Sequence, residues 1–167
     1  MDSSRRIALH EAAHVVVALK LRQPFGSVTI VAEGKTAGQV KPSAGALSIG
    51  DWLGVAGLGN KRDTIAVHLA GPHVDRLAGK EWNPAHSDFT RAMRVLLDMT
   101  NGNEQRAQTL FEQLYRGAAK IVDTHWADVE SLADALQEHK TLTARQIRQA
   151  LPHLAYRNRA EQLIDAM

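Results

Sequence analysis

Five consecutive residues near the N-terminus, His10-Glu11-Ala12-Ala13-His14, follow the pattern HExxH. In a helix, residues four apart lie on the same face about one turn apart, so His10 and His14 can reach one metal ion. Glu11 stands beside that pair, where its carboxylate can accept a proton from an attacking water. Two imidazoles and an adjacent carboxylate are the beginning of a zinc hydrolase site, which needs a third protein ligand.

The sequence around the pentad predicts the helix that this pairing requires. The flanking residues are strongly apolar and include neither Gly nor Pro, Ser3 and Ser4 are candidate N-caps, and Pro24 disfavours continuation. We predict a helix from about Ser4 to Arg22. Polar side chains inside an apolar helix need partners, which a metal ion supplies. The alternative is that the three polar residues form a salt-bridged face by chance.

Composition sets the class of protein. The chain has 167 residues, of which 44% are hydrophobic, and this suits one domain with a proper core. It has no cysteine, so any zinc must be held by His and carboxylate, as is typical of catalytic sites. The net charge of +2 is a weak argument for nucleic-acid binding. Without a membrane-span pattern or a secretory leader, we expect a cytoplasmic protein.

The remaining elements follow from periodicity and turn residues. Ser27 to Ala32 and Thr36 to Lys41 read as two strands joined by a turn, and Gly34-Lys35-Thr36 lacks the first glycine of a phosphate-binding loop. Residues 42–60 are predicted to be a long loop, either a flap over the substrate or an ordinary surface excursion. Helices are predicted from Asp63 to about Gly79 with Pro72 inside, from Ser87 or Asp88, from Glu104 to about Thr124, from Ala127 to Glu138, and from Thr143 to Leu151.

The predicted fold class is mainly α, formally α+β, with a small hairpin or sheet beside the HExxH helix. We expect a single domain over 1–167, in which 1–100 form the metal-site half and 101–167 a helical half. Two carboxylates of the following helices, Asp75 and Asp88, are candidates for the third ligand. Asp88 opens its helix, where it can be an N-cap or a ligand, and spacing alone does not choose between these roles.

The order of motifs resembles the zinc peptidase domain of the FtsH-type AAA proteases. The matching segments are HEAAHV, SVTIVAEGKTAGQV, RDTIAVHLAGPHVDRL, NPAHSDFTRA and KTLTARQI, which run in the family's order across residues 4–151. The resemblance implies a helical zincin-type fold with Asp88 as the third zinc ligand. It leaves Asp75 as the remaining member of an acidic pair, either orienting a ligand His through a hydrogen bond or standing as a partly exposed helix carboxylate.

The chain also departs from the family. The ATPase module and the membrane segments are absent from this sequence, and Pro72, His73, Pro84 and Ser87 replace the usual residues. The resemblance therefore implies a peptidase domain without its motor. Substrates would be flexible protein segments or peptides, which a separate unfoldase or adaptor could deliver.

The expected function is that of a zinc-dependent metalloendopeptidase acting on extended or unfolded segments, with Glu11 as general base. An extended substrate is expected to pair with an exposed strand edge at Val28, Thr29, Ile30 and Val31.

Two alternative functions remain at this level. The chain could be a non-catalytic regulatory or adaptor module that retains the peptidase fold, although such a module would not need Glu11. It could be a small helical nucleic-acid-binding protein, using Arg145, Arg148, Arg157 and Arg159. These arginines are interspersed with acids and lack aromatic partners, so a solvated helical face is favoured and no nucleic acid is expected.

His86 is either an oxyanion helper or an exposed loop residue.

Overall fold

The computed structural model describes residues 2–31, 39–41, 61–80 and 87–154, and within these ranges the chain forms six helices and three short strands. In chain order they are α1 (Ser3–Lys20), β1 (Ser27–Thr29), β2 (Gln39–Lys41), α2 (Lys61–Leu77), α3 (Ser87–Met99), α4 (Glu104–Thr124), α5 (Trp126–His139), β3 (Thr141–Thr143) and α6 (Ala144–Ala150). The predicted class, mainly helical with a small sheet, is confirmed. The predicted loop at 42–60, the turn at 33–35, His86 and the segment 156–167 lie outside the described residues.

Most helix bounds agree with the sequence prediction to within two residues, because apolar periodicity and capping residues are local signals. The α4 helix has the predicted bounds, and its N-cap Asn103 accepts a hydrogen bond from the Arg106 backbone N–H at 2.9 Å. At the start of α1 the prediction of a serine cap was wrong. Asp2 occupies the N-cap position without a side-chain cap, and both serines lie inside the helix.

The sheet has three antiparallel strands in the order β2-β1-β3. The predicted pairing of the first two strands is confirmed, with Val28 opposite Val40. The third strand was not predicted, because Thr141–Thr143 reads locally as the approach to a helix. Thr143 does cap α6, through a capping box with Gln146, but the residues before it pair with β1 and bury Leu142. A strand of three residues exists here only because a tertiary neighbour accepts its hydrogen bonds.

The position of β1 overturns the prediction of a free substrate-binding edge. Val28 and Thr29 are paired with β2 on one side and with β3 on the other, so neither edge of the strand is available there. The Ile30 N–H donates to the Lys140 carbonyl at 2.9 Å, and the Val31 N–H donates to Thr29 Oγ1 at 3.1 Å. The prediction of a free edge was wrong because β3, which is distant in sequence, pairs with β1 there.

The HExxH helix is the centre of the molecule. Every residue of α1 from Ala8 to Leu19 is buried except His10, which is partly exposed, and the helix packs against both α2 and α5. Its apolar face belongs to a core cluster that extends to Val122 and Leu151, and a second cluster joins α2 and α3 to α4. Each fully buried Val or Leu contributes roughly 1.5–3 kcal/mol of burial free energy, so α1 is held firmly in place.

Within the described ranges, no helix combines the length and the apolar character needed to cross a membrane.

Candidate metal centre

Two histidines of α1 turn their Nε2 atoms towards each other. The Nε2 atoms of His10 and His14 are 3.1 Å apart, and the rings meet edge to face with their centroids 4.7 Å apart. This pairing is a local consequence of helix geometry, since one turn separates the two residues.

The first turn of α3 brings a carboxylate to the same point. Asp88 Oδ2 lies 3.4 Å from His10 Nε2 and 3.7 Å from His14 Nε2, and the side chain is buried. In a tetrahedral zinc site with bonds of 2.0–2.1 Å, two ligand atoms are about 3.3 Å apart. The three separations fit that spacing, so the group His10, His14 and Asp88 could hold a metal ion. These are the three ligands predicted from the sequence.

Contacts at the Nδ1 atom of each imidazole orient the two rings so that their Nε2 atoms face the centre of the cluster. A backbone carbonyl can only accept, so His14 Nδ1 carries a proton and donates it to the Val67 oxygen at 2.6 Å. His10 Nδ1 lies 3.2 Å from Asp75 Oδ2, and an ionised carboxylate also accepts. Metal-binding histidines typically have such partners, which fix the tautomer and the ring orientation. Asp75 is buried, with Lys80 Nζ 3.6 Å from the same oxygen, and stands where it can orient His10.

Helix α2 approaches the two imidazoles so closely that it needs a glycine there. A Cβ added to Gly71 would lie 2.4 Å from His10 Nε2 and 2.5 Å from His14 Nε2, whereas ordinary contacts are at 3.4–4 Å. Val67, Gly71 and Asp75 follow at intervals of four residues on one face of α2. Gly71 was not among the predicted site residues, and this four-residue spacing is the signal that could have suggested it.

A third histidine also lies at the centre. His68 Nδ1 is 3.4 Å from Asp88 Oδ1, and 5% of His68 is exposed. The sequence alone assigns His68 no role, because no local pattern connects it to α3. Arg91 Nη1 lies 4.0 Å from the same oxygen, and its side chain is half-exposed.

Burial and charge together shift the titration of the cluster. Burial raises the pKa of Asp88, but hydrogen bonds from His10, His14 and His68 outweigh it and hold that pKa well below its usual value. Burial lowers the pKa of His10, but the hydrogen bonds to Asp75 and Asp88 outweigh it and raise the value to about 10. A metal ion binds the neutral imidazole, so metal binding at neutral pH has to displace a proton from His10.

The pKa of the Glu11 carboxyl group shifts in the direction opposite to that of Asp88. Burial raises the pKa of its carboxyl group, the positive charges of His14 and His10 lower it, and the negative charges of Asp88 and Asp75 raise it. Together these contributions raise the pKa of the Glu11 carboxyl group above its usual value. A buried carboxylate whose pKa is raised is a better proton acceptor near neutral pH than an exposed one.

The other candidate residues lie apart from this group or outside the described ranges. His73 contacts Tyr115 Oη at 3.1 Å and Asp123 Oδ1 at 2.9 Å, which ties α2 to α4. Of the four arginines considered for nucleic-acid binding, Arg157 and Arg159 fall outside the description. Arg148 stacks over Phe25, with 6.0 Å from its guanidinium carbon to the ring centroid.

No protein-family model matches the chain. The likeness to the FtsH-type peptidases therefore rests on the motifs quoted above, and the metal centre rests on its own geometry.

Proposed function

We propose that the protein is a zinc metallopeptidase in which His10, His14 and Asp88 hold the metal. The observation that carries the proposal is the convergence of three ligand atoms 3.1–3.7 Å apart, next to the buried carboxylate Glu11. A purely structural metal site would have no use for this additional buried carboxylate. The motif order shared with FtsH-type peptidases supports the same reaction.

Zinc suits the donor set best. Two imidazole nitrogens and one carboxylate oxygen, with no thiolate in the chain, are typical of catalytic zinc sites that keep one position open for water or substrate. Calcium and magnesium prefer oxygen donors, so the two histidines argue against them. Bound zinc would lower the pKa of a water molecule to about 7 and polarise the scissile carbonyl.

The chain's own residues supply orientation and proton transfer. Val67 and Asp75 hold the two imidazoles so that Nε2 faces the metal. Glu11 accepts the proton of the attacking water on its carboxylate and then delivers it to the leaving amine nitrogen. The raised pKa of Glu11 suits both transfers, because the carboxyl group must be ionised for the first and protonated for the second.

We propose extended or unfolded protein segments as the substrate class, because a peptide bond inside a folded element is not accessible to such a site. Flexible tails, linkers and peptides meet this requirement, as do proteins that an unfoldase or adaptor delivers in unfolded form. Because β1 has no free edge at Val28 and Thr29, the proposal does not include pairing of substrate with that strand.

The test combines zinc content with cleavage of a casein-like unfolded protein. Glu11→Gln is expected to retain zinc and to lose about 100-fold or more of the cleavage rate, as general-base removal does. Asp88→Ala is expected to lose zinc, whereas Asp75→Ala is expected to bind zinc more weakly than wild type. Cleavage by Glu11→Gln at the wild-type rate would refute the mechanism. If Asp88→Ala retains zinc and Asp75→Ala loses it, then Asp75 is the third ligand and Asp88 is not.

A further inference from the structure

We propose that His68 is a positioning residue that holds Asp88 as a ligand through one oxygen only. The inference rests on the metal centre of the proposed function, and it concerns metal binding rather than peptide cleavage. The role goes to a residue of α2, a helix that carries none of the three ligands.

The two oxygens of Asp88 face different partners. Oδ2 lies 3.4 and 3.7 Å from the Nε2 atoms of His10 and His14, whereas Oδ1 lies 3.4 Å from His68 Nδ1. A carboxylate can bind zinc through one oxygen or through both. A donor on Oδ1 favours binding through Oδ2 alone and fixes the plane of the carboxylate.

His68 is better suited to this task than the other cation nearby. Arg91 lies 4.0 Å from Oδ1 and its side chain is 45% exposed, so solvent screens its attraction. The His68 side chain is 6% exposed, and in that environment a donor to an ionised carboxylate acts strongly. Its Nε2 has no hydrogen-bond partner among the described residues, so within them the polar contribution of the ring comes from Nδ1.

The same helix supports each of the other two ligands. The Val67 carbonyl accepts from His14, Asp75 accepts from His10, and His68 faces Asp88. Helix α2 therefore supplies a partner to all three ligands of the proposed centre, with Gly71 giving it room to approach. A buried imidazole with one unpartnered nitrogen costs free energy that an apolar side chain of similar size would not. The contact with Asp88 provides the physical reason for a polar residue at this position.

Three substitutions at position 68 separate this role from simple packing. In His68→Asn the amide nitrogen stands near the place of Nδ1, and in His68→Gln it stands near the place of Nε2. His68→Leu fills the volume without a donor. Arg91→Ala serves as the control for the weaker, exposed cation on the same oxygen.

The measurements are the zinc dissociation constant, from competition with a chromophoric chelator, and the visible spectrum of the Co²⁺-substituted protein. Loss of a partner that orients a ligand typically weakens metal binding about 10–100-fold, and we expect this for His68→Leu and His68→Gln. We expect His68→Asn and Arg91→Ala to stay within about threefold of wild type, since one keeps the donor and the other removes a screened charge. The Co²⁺ bands of His68→Leu should weaken as Asp88 adds its second oxygen.

Several outcomes would overturn the proposal. Wild-type zinc affinity in His68→Leu would remove any positioning role, and an equal loss in His68→Asn and His68→Leu would reduce it to packing. Far-UV circular dichroism of the metal-free variants tests whether each one folds, and His68→Asn remains decisive if the leucine variant does not. A wild-type protein that binds zinc but cleaves nothing would overturn the proposed function alone. A wild-type protein without zinc affinity would overturn both.

Discussion

Replacing Gly71 by alanine should damage the metal centre through a single methyl group. The added Cβ would lie 2.4 Å from His10 Nε2 and 2.5 Å from His14 Nε2, about 1 Å short of an ordinary contact. Neither imidazole can withdraw freely, because His14 is bound to the Val67 carbonyl and both rings sit on a buried helix. Either the rings or the α2 backbone must therefore shift by roughly that distance.

A shift of this size exceeds what a metal site tolerates, because metal–ligand distances vary by only about 0.2 Å in a working site. We expect the zinc dissociation constant of Gly71→Ala to rise by about 100-fold or more, at or beyond the upper end for loss of an orienting partner. Overpacking a core costs about 1–3 kcal/mol, and the better helix propensity of alanine offsets about 1 kcal/mol of it. The metal-free variant should thus be only modestly less stable than wild type.

Gly117→Ala is the matched control for this prediction. Gly117 also lies inside a helix, α4, but a Cβ added there meets no atom within 4 Å. Alanine should stabilise that helix by about 1 kcal/mol, which raises the melting temperature by about 2–4 °C in a domain of this size. Its zinc affinity should equal that of wild type. The assay is chelator competition for zinc, with thermal unfolding in EDTA alongside it. If Gly71→Ala binds zinc as tightly as Gly117→Ala, the close approach of α2 to the histidines does not exist as described.

The remaining predictions concern stability. In EDTA, the free energy of unfolding should fall as the pH drops below about 4, because the pKa values of Asp75 and Asp88 lie below 3.8 in the folded protein and their contributions are lost as they become protonated. The free energy of unfolding should also fall as the pH rises from 6.5 to about 10, because His10 keeps its proton in the folded state up to about pH 10 whereas the unfolded state loses it near pH 6.5. Saturating zinc should remove this second decline, because the metal displaces the proton. A decline that persists in zinc would contradict the ligand role of His10. Free zinc at 100 times its dissociation constant should add about 2.7 kcal/mol to the free energy of unfolding and raise the melting temperature by roughly 5–10 °C over the value in EDTA. A melting temperature that does not change with zinc would exclude a zinc site in the folded protein. Thr143→Ala removes the capping box of α6 and should cost about 1 kcal/mol in denaturant titration without altering zinc affinity.

The part of the site that could be predicted from the sequence is the part that one helix determines. Because His10 and His14 are four residues apart, any α-helix places them on one face, independently of the rest of the chain. The apolar flanks indicate that this helix is buried. The bounds of α4 follow equally from local capping and periodicity. The candidates for a third ligand could be narrowed to Asp75 and Asp88, but only the resemblance favoured one of them.

Tertiary packing decided the rest, because its determinants are distances between elements that no local pattern encodes. The first turn of α3 has to reach α1 before Asp88 can meet the histidines, and the face of α2 has to lie against both before His68 and Gly71 acquire any role. The pairing of β3 with β1 likewise depends on a segment more than a hundred residues further along the chain, and it occupies the strand edge that looked free. The HExxH sequence by itself placed two imidazoles and a carboxylate on one helix. The packing of α2 against that helix, and of α3 against α2, brought in the third candidate ligand and the partners that orient all three.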